Sequence, residues 1–271
     1  MTRRSFPDIE QRTGLFPGID YRDLPPGLSY SGAKDILQSP FLYQWKRQQP
    51  RTATDAMDKG TVVHALTLGT PQTWRTVAGG RGVTDRKEAV RAQGLVPIAL
   101  DDLADAAAMT ASLLDVPEFA DLLGHCPPER REIAAVARED DEAPLLRVIF
   151  DALHHSERYG LDVKTGRAGT LADFGRTAYN LGYHIQAAAS MAVMEWLDTP
   201  LDAFLFCVVE SEPPFLAGVR ELDAESVAVG RSRLREAMDL YAACVAADDW
   251  PKPPTYQRVS LPGWALRKDI A

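Results

Sequence analysis

The stretch RVIFDALHHSERYGLDVKTG, residues 147–166, decides the fold. It contains two short segments typical of strands, RVIFDAL and LDVKTG, separated by the polar turn HHSERYG. Because side chains in a strand alternate between two faces, Asp162 and Lys164 are expected to point the same way. If the strands pair about the turn, Asp151 lies almost opposite Asp162. Two carboxylates and one ammonium group then meet at one place.

This combination of side chains suits hydrolysis of a phosphodiester. Carboxylates are the ligands that Mg²⁺ prefers, and a lysine beside them can place or activate the attacking water. The pattern D-x-K is short, however, and on these residues alone an exposed hairpin with a solvated Asp/Lys pair is the stronger interpretation. The rest of the chain must decide between the two interpretations.

Composition points to a soluble globular protein. The 271 residues, 45% of them apolar, can bury a substantial core. No apolar run approaches the roughly 18 residues of a membrane span, and the first residues lack the apolar segment of a signal peptide. We therefore expect a cytoplasmic protein without a membrane partner.

The sequence also argues against several cofactors. Its three cysteines are far apart and include no C-x-x-C, so one chain cannot assemble a zinc site or a four-cysteine iron–sulfur cluster. There is no G-x-x-x-x-G-K-[ST] phosphate loop, so ATP is not an expected cofactor.

The formal net charge of −8 argues against a protein that coats nucleic acid by bulk attraction. It leaves room for an enzyme whose acidic residues hold metal and whose phosphate contacts are local. Basic residues form two groups, although solvated surface is the expected role of most of them. The groups are Lys34, Lys46, Arg47 and Arg51, and Arg81, Arg86, Lys87 and Arg91.

The first half of the chain predicts an extended arm followed by helices. Residues 1–28 are rich in proline and glycine and are assigned to the arm. A helix is expected to begin near Ser31 and to be broken at Ser39-Pro40. Residues 75–98 resemble a loop or ragged hairpin that could form a mobile flap. A further helix is expected from Asp101 to about Gly124.

The helix DKGTVVHALTLGTP would place Gly60 and His64 on one face. A lone histidine in such a position is usually structural. Residues 131–138 predict the first strand of a three-stranded meander, which would bring Glu132 across from Phe150 or Asp151. A register shift of one residue would send Glu132 to the other face of the sheet.

Downstream, a helix is expected from about Asp173, with an interruption near Gly182. Tyr183 and Gln186 would share a face, with Tyr179 one turn earlier. Such a face serves packing more often than recognition, although the glutamine needs a polar partner. Two more strands, a long helix capped by Asp223 and an extended proline-rich tail complete the chain.

The order of elements predicts an α/β fold with a central mixed β-sheet flanked by helices, formed by a single domain over residues 29–271. The chain resembles the PD-(D/E)xK nuclease superfamily, specifically the RecE-like exonuclease VIII group of phages and prophages, and more distantly lambda exonuclease. The resemblance rests on several stretches in order. They are LSYSGAKDILQSPFLYQW, GTVVHALTLG, REIAAVA, RVIFDAL, LDVKTG, YNLGYHIQAAAS, FLFCVVESEPPFLAGVREL and SLPGWA.

The resemblance implies a role for each matching residue. Asp151 and Asp162 would be the principal ligands of Mg²⁺, for which Mn²⁺ would substitute, and His64 would reach the same metal. Glu132 would assist the metal or the water, and Lys164 would orient the nucleophile and offset developing charge. Tyr183 and Gln186 would support the site or the DNA strand. Position 162 carries aspartate where many members of the superfamily have glutamate, an exchange that the motif allows.

The activity implied by the resemblance is exonucleolytic resection of double-stranded DNA from its ends, 5′ to 3′, to supply single strands for recombination. A homo-oligomeric ring with a locally basic channel would reconcile the acidic net charge with DNA binding, and a single-strand annealing protein is the implied partner. Two alternatives remain open. One is an endonuclease or structure-specific nuclease on the same core, and the other is a DNA-binding protein that has lost catalysis.

Overall fold

The computed structural model describes residues 13–19, 23–50 and 53–260. Its strands are β1 (Gly14–Pro17), β2 (Trp74–Thr76), β3 (Val96–Ile98), β4 (Arg131–Ala137), β5 (Leu146–His154), β6 (Tyr159–Gly166), β7 (Ala203–Glu210) and β8 (Ala217–Glu221). Its α-helices are α1 (Tyr30–Gln38), α2 (Pro40–Gln48), α3 (Asp55–Leu68), α4 (Val83–Arg91), α5 (Leu100–Leu114), α6 (Pro117–Gly124), α7 (Phe174–Leu181), α8 (Tyr183–Trp196) and α9 (Ala224–Ala247).

A six-stranded mixed sheet forms the centre, in the order β1-β4-β5-β6-β7-β8. The β6–β7 pair is parallel and the other neighbouring pairs are antiparallel. The chain reaches β7 from β6 through α7 and α8, as a parallel connection requires. The predicted α/β fold with a central mixed sheet is confirmed, and the β5–β6 hairpin lies in the middle of that sheet.

The two strands of the central hairpin pair only near their turn. The paired residues run from His154 opposite Tyr159 to Ala152 opposite Leu161. Beyond this point β5 continues along β4, and β6 continues along β7 over its whole length. The sheet therefore opens into a fork whose first unpaired positions are Asp151 and Asp162.

Helices cover both faces of the sheet because each strand presents apolar side chains to both sides. On one face α1, α8 and α9 pack over side chains such as Phe150 and Phe206. On the other face α3, α5 and α6 pack over side chains such as Leu161 and Val209. At Gly230 of α9, an added Cβ would lie 2.0 Å from a backbone oxygen of α8, so the absence of a side chain permits this close packing.

The amino-terminal segment was predicted to be an extended arm over residues 1–28. Residues 1–12 and 20–22 lie outside the described residues. Within the remainder, Gly14–Pro17 forms β1, the edge strand that pairs with β4, so this part of the segment belongs to the sheet. The first helix begins at Tyr30, and its N-cap is Ser29, whose Oγ accepts a hydrogen bond from the N–H of Gly32. The predicted start of the helix near Ser31 is therefore confirmed to within one residue.

Residues 75–98 are more regular than the predicted loop or ragged hairpin. They contain α4 between β2 and β3, and these two strands pair in parallel as a small separate sheet. Arg86 donates to the carbonyl groups of Ala78, Gly79 and Arg81 and so closes the glycine-rich turn before α4. The helix predicted from Asp101 to about Gly124 is divided into α5 and α6, because Pro117 cannot continue the hydrogen bonding of the first helix.

The predicted interruption at Gly182 is confirmed. Gly182 has φ of 75°, which ends α7 and starts α8 in a new direction. This change of direction makes one earlier expectation wrong, since Tyr179 does not continue the face that carries Tyr183 and Gln186. Tyr179 is 71% exposed, whereas Tyr183 and Gln186 are buried.

The break between α1 and α2 at Ser39-Pro40 is also confirmed. Ser39 caps α2 by accepting a hydrogen bond from the N–H of Leu42.

The three cysteines, Cys126, Cys207 and Cys244, are buried and unbonded to one another. Across the described ranges, no helix has both the length and the apolar character needed to cross a bilayer.

Candidate active site

Asp151 is the first residue of β5 past the hairpin's paired segment, and its carboxylate bridges the opening of the fork. Its Oδ2 accepts a hydrogen bond of 2.5 Å from the backbone N–H of Val163 on β6. The same oxygen lies 3.4 Å from Nδ1 of His64, which projects from α3. The carboxylate of Asp151 is thus held between β6, which no longer pairs with β5 at this point, and α3, which lies on one face of the sheet.

Asp162 is buried on β6 and has two partners from different elements. Its Oδ2 lies 2.6 Å from Nζ of Lys164, two residues along the same strand, as strand alternation predicted. Its Oδ1 accepts a hydrogen bond of 2.6 Å from Nε2 of Gln186 on α8. The glutamine therefore finds the polar partner that the sequence required, and α8 is tied to the carboxylate.

Lys164 lies between aromatic rings as well as beside Asp162. Its Nζ is 5.0 Å from the centroid of the Tyr183 ring and 5.8 Å from that of Tyr30. Burial alone would lower the pKa of Lys164, but the charge of Asp162 and the tyrosines outweigh it, so the pKa is raised. Lys164 is consequently a charged ammonium group at neutral pH.

The pKa values of Asp151 and Asp162 are shifted in opposite directions. Burial would raise the pKa of Asp151, but His64, the N–H of Val163 and Lys164 outweigh it, so this pKa is lowered. Burial raises the pKa of Asp162, and the negative charge of Asp151 adds to this increase despite the opposing effect of Lys164. Because the charge of Asp151 lies nearby, a negative charge on Asp162 is energetically costly.

His64 and Glu132 both lie beside Asp151 at the fork. Burial would lower the pKa of His64, but the charge and hydrogen bond of Asp151 and the charge of Asp162 raise it. Glu132 lies opposite Asp151, because its neighbours Arg131 and Ile133 pair with Ala152 and Phe150. Burial raises the pKa of Glu132, and Asp151 raises it further. Glu132 has φ of 52°, so its backbone departs from a regular strand beside the fork.

Close packing at Gly60 and hydrogen bonds from Arg131, a residue without a predicted role, hold α3 against the sheet. A Cβ added to Gly60 would lie 3.2 Å from Oγ1 of Thr165, so α3 and β6 approach closely one turn before His64. Arg131 donates to the carbonyl groups of Leu68 and Cys126 and so fixes the carboxyl end of α3. An arginine at the start of a predicted strand carries no sequence signal for this role, since the carbonyl group of Leu68 is distant in the chain.

The family of the chain follows from its sequence. A family model described as "PDDEXK-like domain of unknown function (DUF3799)" matches residues 29–255, most of the chain. The chain belongs to this PDDEXK-like family. The proposed membership of the PD-(D/E)xK superfamily is thereby confirmed. No curated protein sequence shows significant similarity to the chain.

Solved structures resemble this PDDEXK-like domain at low sequence identity. A protein from Eubacterium rectale, provisionally described as an exonuclease, superposes with a TM-score of 0.57 at 12% identity, over 85% of this chain and 91% of that one. A phage-related exonuclease from Haemophilus somnus matches with a TM-score of 0.33 at 13% identity, over 83% of this chain and 97% of that one. The first of these similarities supports the fold.

The donor set of this PDDEXK-like domain fits a hard divalent cation. Apart from its ion pair with Lys164, Oδ2 of Asp162 is buried without a hydrogen-bond donor. Asp151, Glu132 and His64 add carboxylate oxygens and an imidazole nearby, and these groups suit Mg²⁺ or Mn²⁺. In the part of the chain that the structure describes, however, no three acidic, histidine or cysteine side chains already form a metal-ligating cluster. The contacts of the two aspartate carboxylates are instead with Lys164, Gln186 and the N–H of Val163, and with His64.

The two basic groups of the sequence have different environments in the PDDEXK-like domain. In the second group, Lys87 and Arg91 pair with Asp55 and Asp58 of α3, and Arg86 binds backbone oxygens. Most of that group therefore stabilises the packing of α4. In the first group, Lys46 pairs with Asp35, while Lys34 donates to the carbonyl group of Leu181 at the α7–α8 junction. Arg51 lies outside the described residues.

Proposed function

We propose that the protein is a metal-dependent deoxyribonuclease that hydrolyses phosphodiester bonds at the fork between β5 and β6. The observation that carries the proposal is the convergence of Asp151, Asp162 and Lys164 at that fork, with Nζ of Lys164 2.6 Å from Oδ2 of Asp162. Family membership supports it, because a PDDEXK-like family model matches residues 29–255. A binding protein would gain little from keeping two buried carboxylates beside phosphate.

Each side chain would have a separate part in the reaction. Asp151 and Asp162, assisted by His64 and Glu132, would hold Mg²⁺ or Mn²⁺. The bound cation would supply positive charge that stabilises the phosphate as negative charge develops on it. Lys164 is already protonated, so it would orient the attacking water and stabilise the transition state electrostatically rather than accept a proton. Gln186 and Tyr183 would position Asp162 and Lys164.

The proposed substrate is double-stranded DNA, resected from its ends in the 5′-to-3′ direction. The single strands produced would serve recombination, with a single-strand annealing protein as partner, as in the RecE-like group that the sequence resembles. The net charge of −8 gives one subunit little general attraction for a polyanion. A homo-oligomeric ring that brings basic segments around a common opening would concentrate positive potential, and a closed ring would load only at an end. The proposed location is the cytoplasm.

The deciding experiment compares linear and covalently closed duplex DNA in the presence of Mg²⁺, Mn²⁺ or a chelator. Linear DNA is expected to be degraded with either metal, closed circles to be spared, and the chelator to stop the reaction. Asp151→Asn and Asp162→Asn should abolish cleavage while folding normally, because each replaces a carboxylate by an amide of similar shape.

Two results would contradict the proposal at different levels. Cleavage at the normal rate by a folded Asp162→Asn protein would reject the site. Rapid nicking of closed circles by a protein that sediments as a monomer would reject the ring and the end requirement, and would favour an endonuclease on the same fold.

A further inference from the structure

A polar cleft lies beside the candidate active site, on the outer side of the α7–α8 junction. Its volume is about 340 Å³. Five of the side chains that line it can contact a nucleic acid strand, namely Lys34, Gln38, Tyr179, Asn180 and Arg233. Among the described residues that line it, none is acidic. The lining of this cleft is therefore positively charged, although the chain as a whole has a net charge of −8.

Tyr179 is the most unusual residue of this cleft. It is a large aromatic side chain at 71% exposure, and its ring stacks on His184 with a centroid distance of 5.6 Å and an interplanar angle of 11°. Because His184 is buried and its ring lies close to the carbonyl group of Ala178, the tyrosine rests on a fixed support. A supported and exposed ring is what a nucleic acid base needs for stacking.

Two cations flank the ring from different helices. Lys34 is half-buried on α1, and one of its three N–H donors binds the carbonyl group of Leu181. Arg233 is on α9, three residues after Gly230, where α9 packs closely on α8. Arg233 also pairs with Glu236, which leaves part of its five-donor guanidinium for a phosphate.

The cleft is connected to the active site along one face of α1. Tyr30, whose ring lies near Lys164, is followed one turn later by Lys34 and another turn later by Gln38. The eight steps from Tyr30 to Gln38 span about 12 Å, because each residue adds about 1.5 Å. At about 3.4 Å per stacked nucleotide, this distance corresponds to about three or four nucleotides.

We propose that this cleft binds one strand of the nucleic acid substrate about three or four nucleotides from the phosphodiester that is cleaved. Tyr179 stacks on a base, and Lys34 and Arg233 bind the flanking phosphates. Stacking and phosphate contacts tolerate any base, so the cleft holds the strand without selecting a sequence. This inference rests on the proposed nuclease function and names the path of the strand next to that site.

The test measures binding of a fluorescein-labelled oligothymidylate by anisotropy, with chelator present so that no cleavage occurs. Tyr179→Ala is expected to weaken binding about tenfold or more, and Tyr179→Phe to retain it, because both rings stack. Arg233→Gln should weaken binding and lower the salt dependence by about one phosphate contact. Arg231→Gln is the matched control, since Arg231 is on the same helix with similar side-chain exposure but pairs with Glu195 on a different surface.

A second measurement separates this inference from the proposed function. Hydrolysis of bis(4-nitrophenyl) phosphate, which is too short to reach the cleft from the cleavage site, should proceed equally in wild-type protein and Tyr179→Ala. Failure of the wild-type protein to hydrolyse any phosphodiester would reject the nuclease function. The binding experiment would still show whether the cleft binds a nucleic acid strand. Oligothymidylate affinity that is unchanged in Tyr179→Ala, or no measurable affinity in the wild-type protein, would overturn the inference.

Discussion

Gln186 donates a hydrogen bond of 2.6 Å from Nε2 to Oδ1 of Asp162, and this contact joins α8 to the central strand β6. Both side chains are buried, and Oε1 of Gln186 has no hydrogen-bond partner. A buried amide that leaves one of its polar atoms unpaired is costly, and the hydrogen bond to Asp162 offsets part of that cost.

We expect Gln186→Met to weaken divalent-metal binding about 10–100-fold, as the loss of a group that orients a ligand typically does. Methionine keeps the volume of glutamine but cannot hold Oδ1 of Asp162. Isothermal titration with Mn²⁺ measures the affinity, and circular dichroism checks the fold. Ser190→Ala is the control, because Ser190 is one turn further along α8 and its buried Oγ has no hydrogen-bond partner. Equal metal affinities for Gln186→Met and wild-type protein would show that the contact serves packing alone.

Lys164→Ala should lower the rate of DNA cleavage about 10²–10³-fold while changing metal affinity much less, because the ammonium group acts mainly in the transition state. Single-turnover cleavage and metal titration measure the two effects separately. Lys46→Ala removes an equal charge from an exposed ion pair with Asp35 and should leave both quantities near their wild-type values. Loss of metal affinity with an unchanged rate at saturating metal would reverse this assignment.

His64→Ala should lower Mg²⁺-supported cleavage about 10–100-fold, with partial recovery in Mn²⁺. Imidazole suits Mn²⁺ better than Mg²⁺, so its removal changes the response of the site to the identity of the metal. His125→Ala provides the control, since His125 lies near Asp121 and Glu157, next to the hairpin turn. If His64→Ala folds and keeps the metal dependence of the wild-type protein, His64 has only a structural role.

Gly182→Ala should lower the free energy of unfolding by at least about 1–3 kcal/mol, because φ at this position is 75° and a side chain there is strained. In addition, an added Cβ would lie 2.4 Å from Cδ of Lys34. Gly175→Ala is the opposite case, since Gly175 lies within α7, and an added Cβ there meets nothing within 4 Å. That substitution should raise stability by about 0.5–1 kcal/mol. Urea denaturation of both variants checks the difference, and equal stabilities would contradict the strain at Gly182.

Local patterns in the sequence were sufficient for the central hairpin and for several helix ends. Alternation along β6 placed Asp162 and Lys164 together, and the helix break at Gly182 followed from a residue that adopts this backbone conformation without steric strain. The same reasoning failed for residues 75–98, where two short strands pair in parallel around α4. Strands of three residues carry too little periodicity to be recognised.

Only part of the candidate site could be predicted from local patterns in the sequence. Spacing put Asp151 opposite Asp162, but His64, Tyr183 and Gln186 entered through a resemblance, because no local rule links a residue on α3 or α8 to β6. Their positions depend on which faces of the sheet the two helices cover.

What the sequence by itself determined is the set of chemical groups and their order, together with the mixed sheet built around one hairpin. The tertiary structure alone decided that β5 and β6 separate after Ala152 and Leu161, since β5 continues along β4 and β6 continues along β7 past the point where the hairpin's own pairing ends. The resulting fork turns Asp151 toward Val163 and His64 and leaves Asp162 to Lys164 and Gln186. The pairing of each hairpin strand with its outer neighbour is a property of the whole sheet, so no single stretch of the chain predicts where the fork opens.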